Sequence, residues 1–495
     1  MSKFVRSVAV ERPRILFLEA STGLGGSGSI LFYMLSHMDR GRFDVRFSSY
    51  LNADTHHLNA IKELGIPYAP LSERRHSFIP GEHPIVKGCR NHHLRRLLLV
   101  LAWIYKALAI ELPRVFRLVR TIKSQKISIV VTNNDLHFHL VGVIASRIAG
   151  VPCIVRKAGG IGQGKWVKRL LTGWVDAFVP ISNATKVDQL CNPATKRVVL
   201  IPGGVDLTRF DAEASPAATR AKLGLPECRR IIGSAARLVE GKGQEEFIRA
   251  AAKVAREYPD VIFYVAGSQD PADPDAHVLE KLQDLARELG ISDEVIFGGW
   301  RDDMPSVLAA LDIFVHCPTT FIEGLCITNL EAMASGKPTI ISENGGMPDA
   351  VVDGVTGFIV PPGDIDALAQ AMLRLLRDPE LARHFGRNAR KRIEEKFEIG
   401  AIMRAYERLF AEFAVKASRP STKEISYERA GGLKSSSIPG GNLGQDRRDA
   451  GGRRGLPMVP RCAGPSCGPD GSSRGPDSGP GNRCQTGRQA GLPRR

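Results

Sequence analysis

Twice along this chain a short apolar run leads through a glycine loop into a helix, and each time the alternation then continues. The first series opens at Ile15–Leu18 and passes the loop "EASTGLGGSGS" into a helix beginning at Ile30. It continues through Phe43–Ser48, "LNAIKELGIPYAPL", "ISIVVTNN", "VPCIVRK", "VDAFVPIS" and "RVVLIPGG". The second opens at Ile231–Ala235 and passes "RLVEGKG" into the helix "QEEFIRAAAKVAREYP". It continues through "VIFYVAGS", "HVLEKLQDLARELGI", "EVIFGGW", "MPSVLAALD", "IFVHCP", "NLEAMASG", "PTIISE" and "GFIVPPGD", with a helix over Ile365–Leu376. Short strands separated by helices cross over and pair in parallel, with helices on both faces. The expected fold class is α/β, with two Rossmann-like domains facing a central cleft.

A chain of 495 residues is too long for one core. The loop Gly203–Arg220 is the expected boundary, giving an N-terminal domain over 1–203 and a second over 204–384. A helical segment, 385–415, is expected to cross back to the first domain. The net charge of +16 is uneven, because residues 416–495 carry 15 Lys/Arg against 6 Asp/Glu. That stretch is rich in Gly, Pro, Ser and Arg and poor in aromatics, so it reads as a disordered basic tail. It has no RGG period and no interleaved aromatics, so no nucleic-acid partner is expected. The N-terminus lacks an apolar secretory core, no window reaches 18 uninterrupted apolar residues, and the nine cysteines form no C-x-x-C pair or zinc-spaced cluster. These features point to a cytoplasmic protein with reduced thiols.

The first glycine loop has three readings. Gly23, Gly25 and Gly28 spell G-x-G-x-x-G between a strand and a helix, the dinucleotide fingerprint. That use needs an acidic residue at the end of the second strand, where Ser48, Ser49 and Tyr50 stand instead; the first carboxylate is Asp54. A plain turn is the second reading. The third is a loop whose backbone N–H groups, around Gly25 and Gly26, meet phosphate or sugar at the cleft.

The segment Phe321–Asp364, "FIEGLCITNLEAMASGKPTIISENGGMPDAVVDGVTGFIVPPGD", closely resembles the signature of family 4 retaining glycosyltransferases, of the glycosyl transferases group 1. Their pattern E-G-F-G-L-x-x-x-E-A-M-A-x-G-x-P is met by Glu323, Gly324, Leu325 and Glu331 through Pro338. "AARLVEGKG" resembles the family's G-R-L-x-x-x-K-G and contributes Arg237 and Lys242; "VVLIPGGVD" resembles I-P-N-G-V-D, with Gly203 in place of Asn. "FGGWRDDMPSVLAALDIFVHCP" resembles the loop beside the base. The resemblance implies a GT-B arrangement, with the acceptor in the first domain and a nucleotide-sugar donor in the second. It implies that Glu331 faces the ribose, that Glu323 holds the donor sugar, that Gly345 and Gly346 line the donor site, and that Trp300 and Arg301 edge the base. Arg237 and Lys242 lie on one loop at a helix N-terminus, so a fork and a point charge can both face a diphosphate. Catalysis is assigned to Glu323, Arg237 and Lys242. No cofactor or metal is expected, because the two cations supply the charge stabilisation a metal would give.

The acceptor side departs from the family. Asn133 and Asn134 fall where its first histidine aligns, and Ala158-Gly159 where its second does. His137 and His139, two apart, would point to different faces of a helix. Asp135 reads as a helix cap or an acceptor contact, and Arg156 and Lys157 as contacts for an anionic acceptor. The segment over 90–126 has an apolar centre, Leu97–Ile110, flanked by Arg and Lys. It reads either as a helix packed on the sheet or as a contact with an anionic membrane surface. The functional expectation is a retaining hexosyltransferase acting from a nucleotide-diphosphate sugar onto an envelope glycan or glycolipid, such as a lipopolysaccharide. It would be cytoplasmic, with peripheral attachment at the inner face of the cytoplasmic membrane as an open alternative. The alternatives are a catalytically weak nucleotide-sugar-binding scaffold of the same fold and an NAD-dependent enzyme. The base, the sugar, the acceptor linkage and the oligomeric state are left open by these motifs.

Overall fold

The computed structural model describes residues 11–19, 26–50, 56–72, 84–89, 91–134, 139–157, 171–190, 196–210, 216–269 and 277–417. These residues belong to one unit, Met1–Ile425. The basic tail beyond Ala417 and Gly25 lie outside the described residues.

The first sheet has five parallel strands in the order β2-β1-β3-β4-β5. They are β1 (Arg14–Glu19), β2 (Asp44–Ser49), β3 (Ile129–Asn133), β4 (Cys153–Lys157) and β5 (Ala177–Pro180). The second has six, in the order β11-β10-β9-β6-β7-β8. These are β6 (Arg230–Ala235), β7 (Val261–Ala266), β8 (Val295–Gly299), β9 (Ile313–His316), β10 (Thr339–Ser342) and β11 (Gly357–Val360). In each sheet the first strand in sequence pairs with a later one: Ile15 opposes Ile129 and Ile232 opposes Ile313. Central strands such as β3 and β7 are buried at every position, as expected for strands covered by helices on both faces.

The helices of the first half are α1 (Gly26–Ser36), α2 (His56–Glu63), α3 (Pro84–Lys87), α4 (His92–Tyr105), α5 (Leu112–Ser124), α6 (Leu140–Ala149) and α7 (Asn183–Leu190). A π-turn, Lys106–Glu111, joins α4 to α5. Those of the second half are α8 (Pro216–Lys222), α9 (Gln244–Glu257), α10 (Val278–Glu288), α11 (Met304–Ala310), α12 (Ile327–Ala334), α13 (Ile365–Arg377), α14 (Pro379–Lys396) and α15 (Ile399–Ala417).

One apolar cluster joins the two sheets. It contains Phe17, Ile30 and Tyr33 from the first half and Leu325, Ile327 and Met333 from the second. Helix α15 returns to the first sheet, where Phe410 meets Phe17 edge-on at 6.0 Å and Phe43 at 6.3 Å. Glu407 on the same helix pairs with Arg42 at 3.0 Å. "RVVLIPGG" forms an isolated bridge, Phe178 to Val198, rather than the expected full strand. Pro180, at the end of β5, has no N–H to donate, so the ladder stops there.

Candidate functional site

The strands of both sheets end toward a common region, and the loops that follow them build the site. After β6, the chain passes Arg237 and turns at Gly243, whose φ of 91° places it in the left-handed region, before entering α9. A Cβ on Gly243 would strike the Cys317 carbonyl, so only glycine lets this loop pass against the end of β9. Arg237 is half-buried and makes no ion pair among the described residues. Lys242 lies 3.8 Å over the Phe321 ring and forms an ion pair with Glu323.

Glu323 is held from several sides. Its N–H donates to Asn344 Oδ1 at 3.0 Å, and its carbonyl accepts from the Gly346 N–H at 2.9 Å. Gly345, at φ 56°, passes so close that a Cβ there would collide with the Glu323 carbonyl. The glycine pair expected to line the donor site thus acts here by letting two loops meet. His316, at the end of β9 and almost fully buried, approaches the Glu323 carboxylate with Nε2 at 3.0 Å. Cys326 caps α12, and its Sγ lies within 4.8 Å of the ligating atoms of His316 and Glu323.

The result is a connected row of titratable groups, Lys242, Glu323, His316 and Cys326. Burial alone would raise the Glu323 carboxyl, but His316 and Lys242 outweigh it and bring it down to about 2. Burial would lower His316, but Cys326 and Glu323 hold it up at about 9. Burial would raise the Cys326 thiol; His316 reverses that and lowers it. The N, O and S donors of this trio are of the kind zinc accepts, although the Lys242 ammonium already occupies the Glu323 carboxylate.

Helix α12 starts at Ile327, so Glu331 lies a full turn inside it rather than at its beginning. Read from the sequence, Glu331 begins the helix "NLEAMA"; the structure corrects this, because the apolar residues Ile327 and Leu330 extend the helix toward Cys326. The Glu331 carboxylate accepts a hydrogen bond from the Tyr33 hydroxyl at 2.9 Å and lies 3.8 Å from Arg209. Tyr33 is on α1 of the first half, so Glu331 is reached from both domains. Burial pushes the Glu331 carboxyl up to about 7, against the pull of Arg209. Trp300 Nε1 donates to Asp302 at 2.7 Å, and Arg301 grips Asp303 through two bonds of 2.9 and 2.8 Å.

The first-domain side of the cleft is organised by Glu19, at the end of β1. Its carboxylate accepts from Asn133 Nδ2 and, at 3.3 Å, from Asn134 Nδ2. Asn133 Oδ1 in turn accepts from Arg156 Nη1 at 2.6 Å. Arg156 and Lys157 are each 1% exposed, which removes them from any acceptor-facing surface and corrects that expectation. Asn134 holds a φ of 101° and faces the cleft. His139 precedes α6 instead of lying on it; it is buried, with Nε2 2.5 Å from the Asn133 carbonyl oxygen. His139 is therefore on no helix face. Asp135, His137, Ala158 and Gly159 are outside the described residues. At the end of β2, Ser48 and Ser49 hydrogen-bond with Ala69 and Tyr68, and among the described residues no carboxylate stands there; Asp54 lies outside them.

Two cavities adjoin at this place. The larger, of 440 Å³, is lined by Gly26, Tyr33, Arg209, Trp300, Arg301 and Glu331 among others. The smaller, of 270 Å³, is lined by Asn134, Lys242, His316, Glu323, Gly324 and Leu325 among others. Gly26, Ala236, Arg237, Ile327 and Thr328 line both. Gly26, Arg237, Lys242, Trp300, Arg301, Glu323, Gly324, Leu325 and Glu331 therefore gather along one cleft, whereas Arg156, Lys157 and His139 line neither cavity. His316, Cys326, Tyr33, Arg209 and Glu19 were not singled out from the sequence. "VHCP" before the signature segment was the one local signal, and it pointed to no chemistry by itself.

Residues 217–392 match the family described as glycosyl transferases group 1. The chain is 36% identical over 194 residues to a GDP-mannose-dependent alpha-(1-6)-phosphatidylinositol monomannoside mannosyltransferase of Mycolicibacterium smegmatis, covering 38% of this chain and 49%, about half, of that protein. It is 31% identical over 300 residues to alpha-maltose-1-phosphate synthase of the same organism, covering 54% of this chain and 75% of that protein. Among solved structures, Anabaena HepE in complex with UDP and glucose superposes with a TM-score of 0.66 at 22% identity, covering 80% of this chain and 99% of that one. With its two parallel-sheet domains in the GT-B fold, the chain belongs to the glycosyl transferases group 1 family.

Proposed function

We propose that the protein transfers a hexose from a nucleotide-diphosphate sugar to an envelope glycan or glycolipid, with retention at the anomeric carbon and without a metal. The observation that carries this reading is the pair of cavities meeting at Arg237. A nucleotide sugar has three parts in line, and the cleft offers three places in line. The larger cavity, with Trp300 and Glu331, suits the nucleoside. The smaller, with Glu323 and Asn134, suits the sugar. Between them stand the guanidinium of Arg237 and the N-terminus of α12, which suit a diphosphate. The names of the relatives support the same class: one uses GDP-mannose and acts on a phosphatidylinositol monomannoside, and HepE binds UDP and glucose.

In this reading the C–O bond to the diphosphate breaks while the acceptor oxygen forms a bond on the same face of the sugar. The acceptor proton passes to the departing phosphate oxygen, so the reaction needs no protein base in place of the histidines absent at Asn133-Asn134 and at Ala158-Gly159. Arg237 and Lys242 take up the charge that develops on the diphosphate. Lys242 reaches it from its position beside Glu323, which holds a sugar hydroxyl. Glu331 receives the ribose. The enzyme would work on the cytoplasmic side of the envelope it helps to build.

Arg237→Ala and Lys242→Ala should each lower turnover ~10²-fold, as removal of one preorganised charge partner typically does. Binding of the free nucleoside should change little, because it carries no diphosphate. A panel of nucleotide sugars in a thermal-shift assay identifies the donor, and steady-state kinetics with calorimetry then test the variants. Normal turnover in both variants would refute the mechanism. Tight donor binding without turnover would favour a scaffold instead, a reading in keeping with Asn133 being tied between Glu19 and Arg156.

A further inference from the structure

Helix α4 has no core to belong to. Its N-terminus is well made, since Asn91 Oδ1 accepts from the His93 and Leu94 N–H groups at 3.0 and 3.1 Å. Yet none of its fourteen residues is buried. Leu97, Val100, Leu101 and Trp103 are all more than half exposed, as are Leu108 and Phe116 further along. At 3.6 residues per turn, the exposed apolar side chains from Leu94 to Tyr105 cover an arc of about 200°. A sheet-packed helix would instead bury such an arc, as α5 does with Val115, Leu118 and Ile122.

The charge around this face has one sign. Over 92–124 the sequence has seven Lys/Arg and a single carboxylate, Glu111, which pairs with Arg114 at 3.3 Å. Lys106 stacks on the Trp103 ring at 5.2 Å, so an aromatic and a cation stand together at the edge of the apolar arc. A second copy of the chain would bring like charges together across this face, whereas an anionic lipid surface would neutralise them while accepting the apolar side chains.

The element also has a defined place. Helix α5 ends at Ser124, and Ser128 then bonds to the Arg14 carbonyl at the start of β1. Helix α5 therefore runs antiparallel to β3, and its Leu112 end lies level with the strand ends, where Glu19 and Asn133 stand. Arg117 confirms the level by donating to the carbonyl of Leu71, just beyond the end of β2. The exposed helix thus leaves the molecule from the cleft rim of the first domain.

We propose that residues 94–112 insert into the headgroup and upper acyl region of an anionic membrane and hold the cleft of the first domain against it. Insertion stands independently of the transferase reading; that the acceptor is lipid-linked rests on that reading. The sequence alone left a packed helix and a surface contact open, and the exposed arc selects the second and deepens it from contact to insertion. Among the described residues no helix is long and apolar enough to cross a membrane, so the attachment is to one leaflet.

The test uses the full chain and vesicles of phosphatidylcholine with or without phosphatidylglycerol, with no sugar present. Wild type should sediment with the anionic vesicles and stay largely bound in high salt, because apolar insertion is not screened. Amide hydrogen exchange should slow on vesicle addition within 92–116 and not over α9 or α10. The Leu97→Glu/Leu101→Glu double variant should bind at least tenfold more weakly, with an unchanged melting temperature because both side chains are exposed. Wild type remaining in the supernatant with both vesicles would overturn the proposal. So would protection elsewhere, or a dimer in the absence of vesicles that the double variant dissociates. Absence of sugar transfer with normal vesicle binding would count against the transferase reading alone.

Discussion

Replacing Glu323 with glutamine removes the one negative charge between Lys242 and His316 while keeping the side chain's shape. The carboxyl, ordinarily at 4.5, is held at about 2 in the folded protein. At about 1.4 kcal/mol per unit, its ionised form therefore favours the fold by about 3 kcal/mol at neutral pH. His316, raised from 6.5 to about 9, reports many of the same contacts, so the two effects describe one network and are not added. Glu323→Gln should cost about 3 kcal/mol, in line with breaking a buried pair and leaving its partner uncompensated. The pH dependence follows from the two directions. The Glu323 contribution is complete above pH 4.5 and is lost as pH falls through about 2; the His316 contribution is complete below 6.5 and is lost as pH rises through about 9. The difference between wild type and variant should therefore be largest between pH 4.5 and 6.5 and decline on both sides. Urea unfolding of both proteins at fixed pH values measures it. A penalty below about 1 kcal/mol across the whole range, or one that keeps growing above pH 9, would show that this network does not operate as described.

Two further outcomes are expected. Burial raises the Glu331 carboxyl to about 7, so the folded state holds a proton that the unfolded state releases near 4.5; stability should fall as pH rises from 4.5 through 7, and Glu331→Gln should flatten that fall in melting curves while weakening nucleotide binding measured by calorimetry. Cys326, its thiol lowered by His316, should be alkylated at lower pH than the buried Cys153 and Cys317, whose thiols burial pushes up; peptide mapping after iodoacetamide treatment reads this, and equal labelling of all three at neutral pH would contradict it.

The parallel α/β architecture was legible because its signals are local. Each strand is a short apolar run, each helix carries its own period, and the two glycine loops stand at fixed distances from them. Arg237, Lys242, Glu323 and Glu331 could be singled out for the same reason, since "RLVEGKG" and the signature segment are short stretches whose resemblance to the family is local. The start of α12 was misplaced by two residues because the apolar Ile327 reads equally well as loop or helix.

What the sequence could not contain was partnership across long separations. Lys242 meets Glu323 across 81 positions, and Tyr33 meets Glu331 across 298. Such pairs leave no periodic trace; the first exists because β6 and β9 are neighbours in one sheet, and the second because the two sheets end at one cleft. The same holds for the histidine and cysteine beside Glu323, which β9 and the cap of α12 bring together. The helix over 92–105 shows the limit most directly. Its apolar composition and basic flanks were plain in the sequence, but an apolar face looks the same whether a sheet covers it or not. The first sheet takes up α5 and leaves α4 beyond its edge, and burial, a property of neighbours rather than of the residues themselves, was decided there.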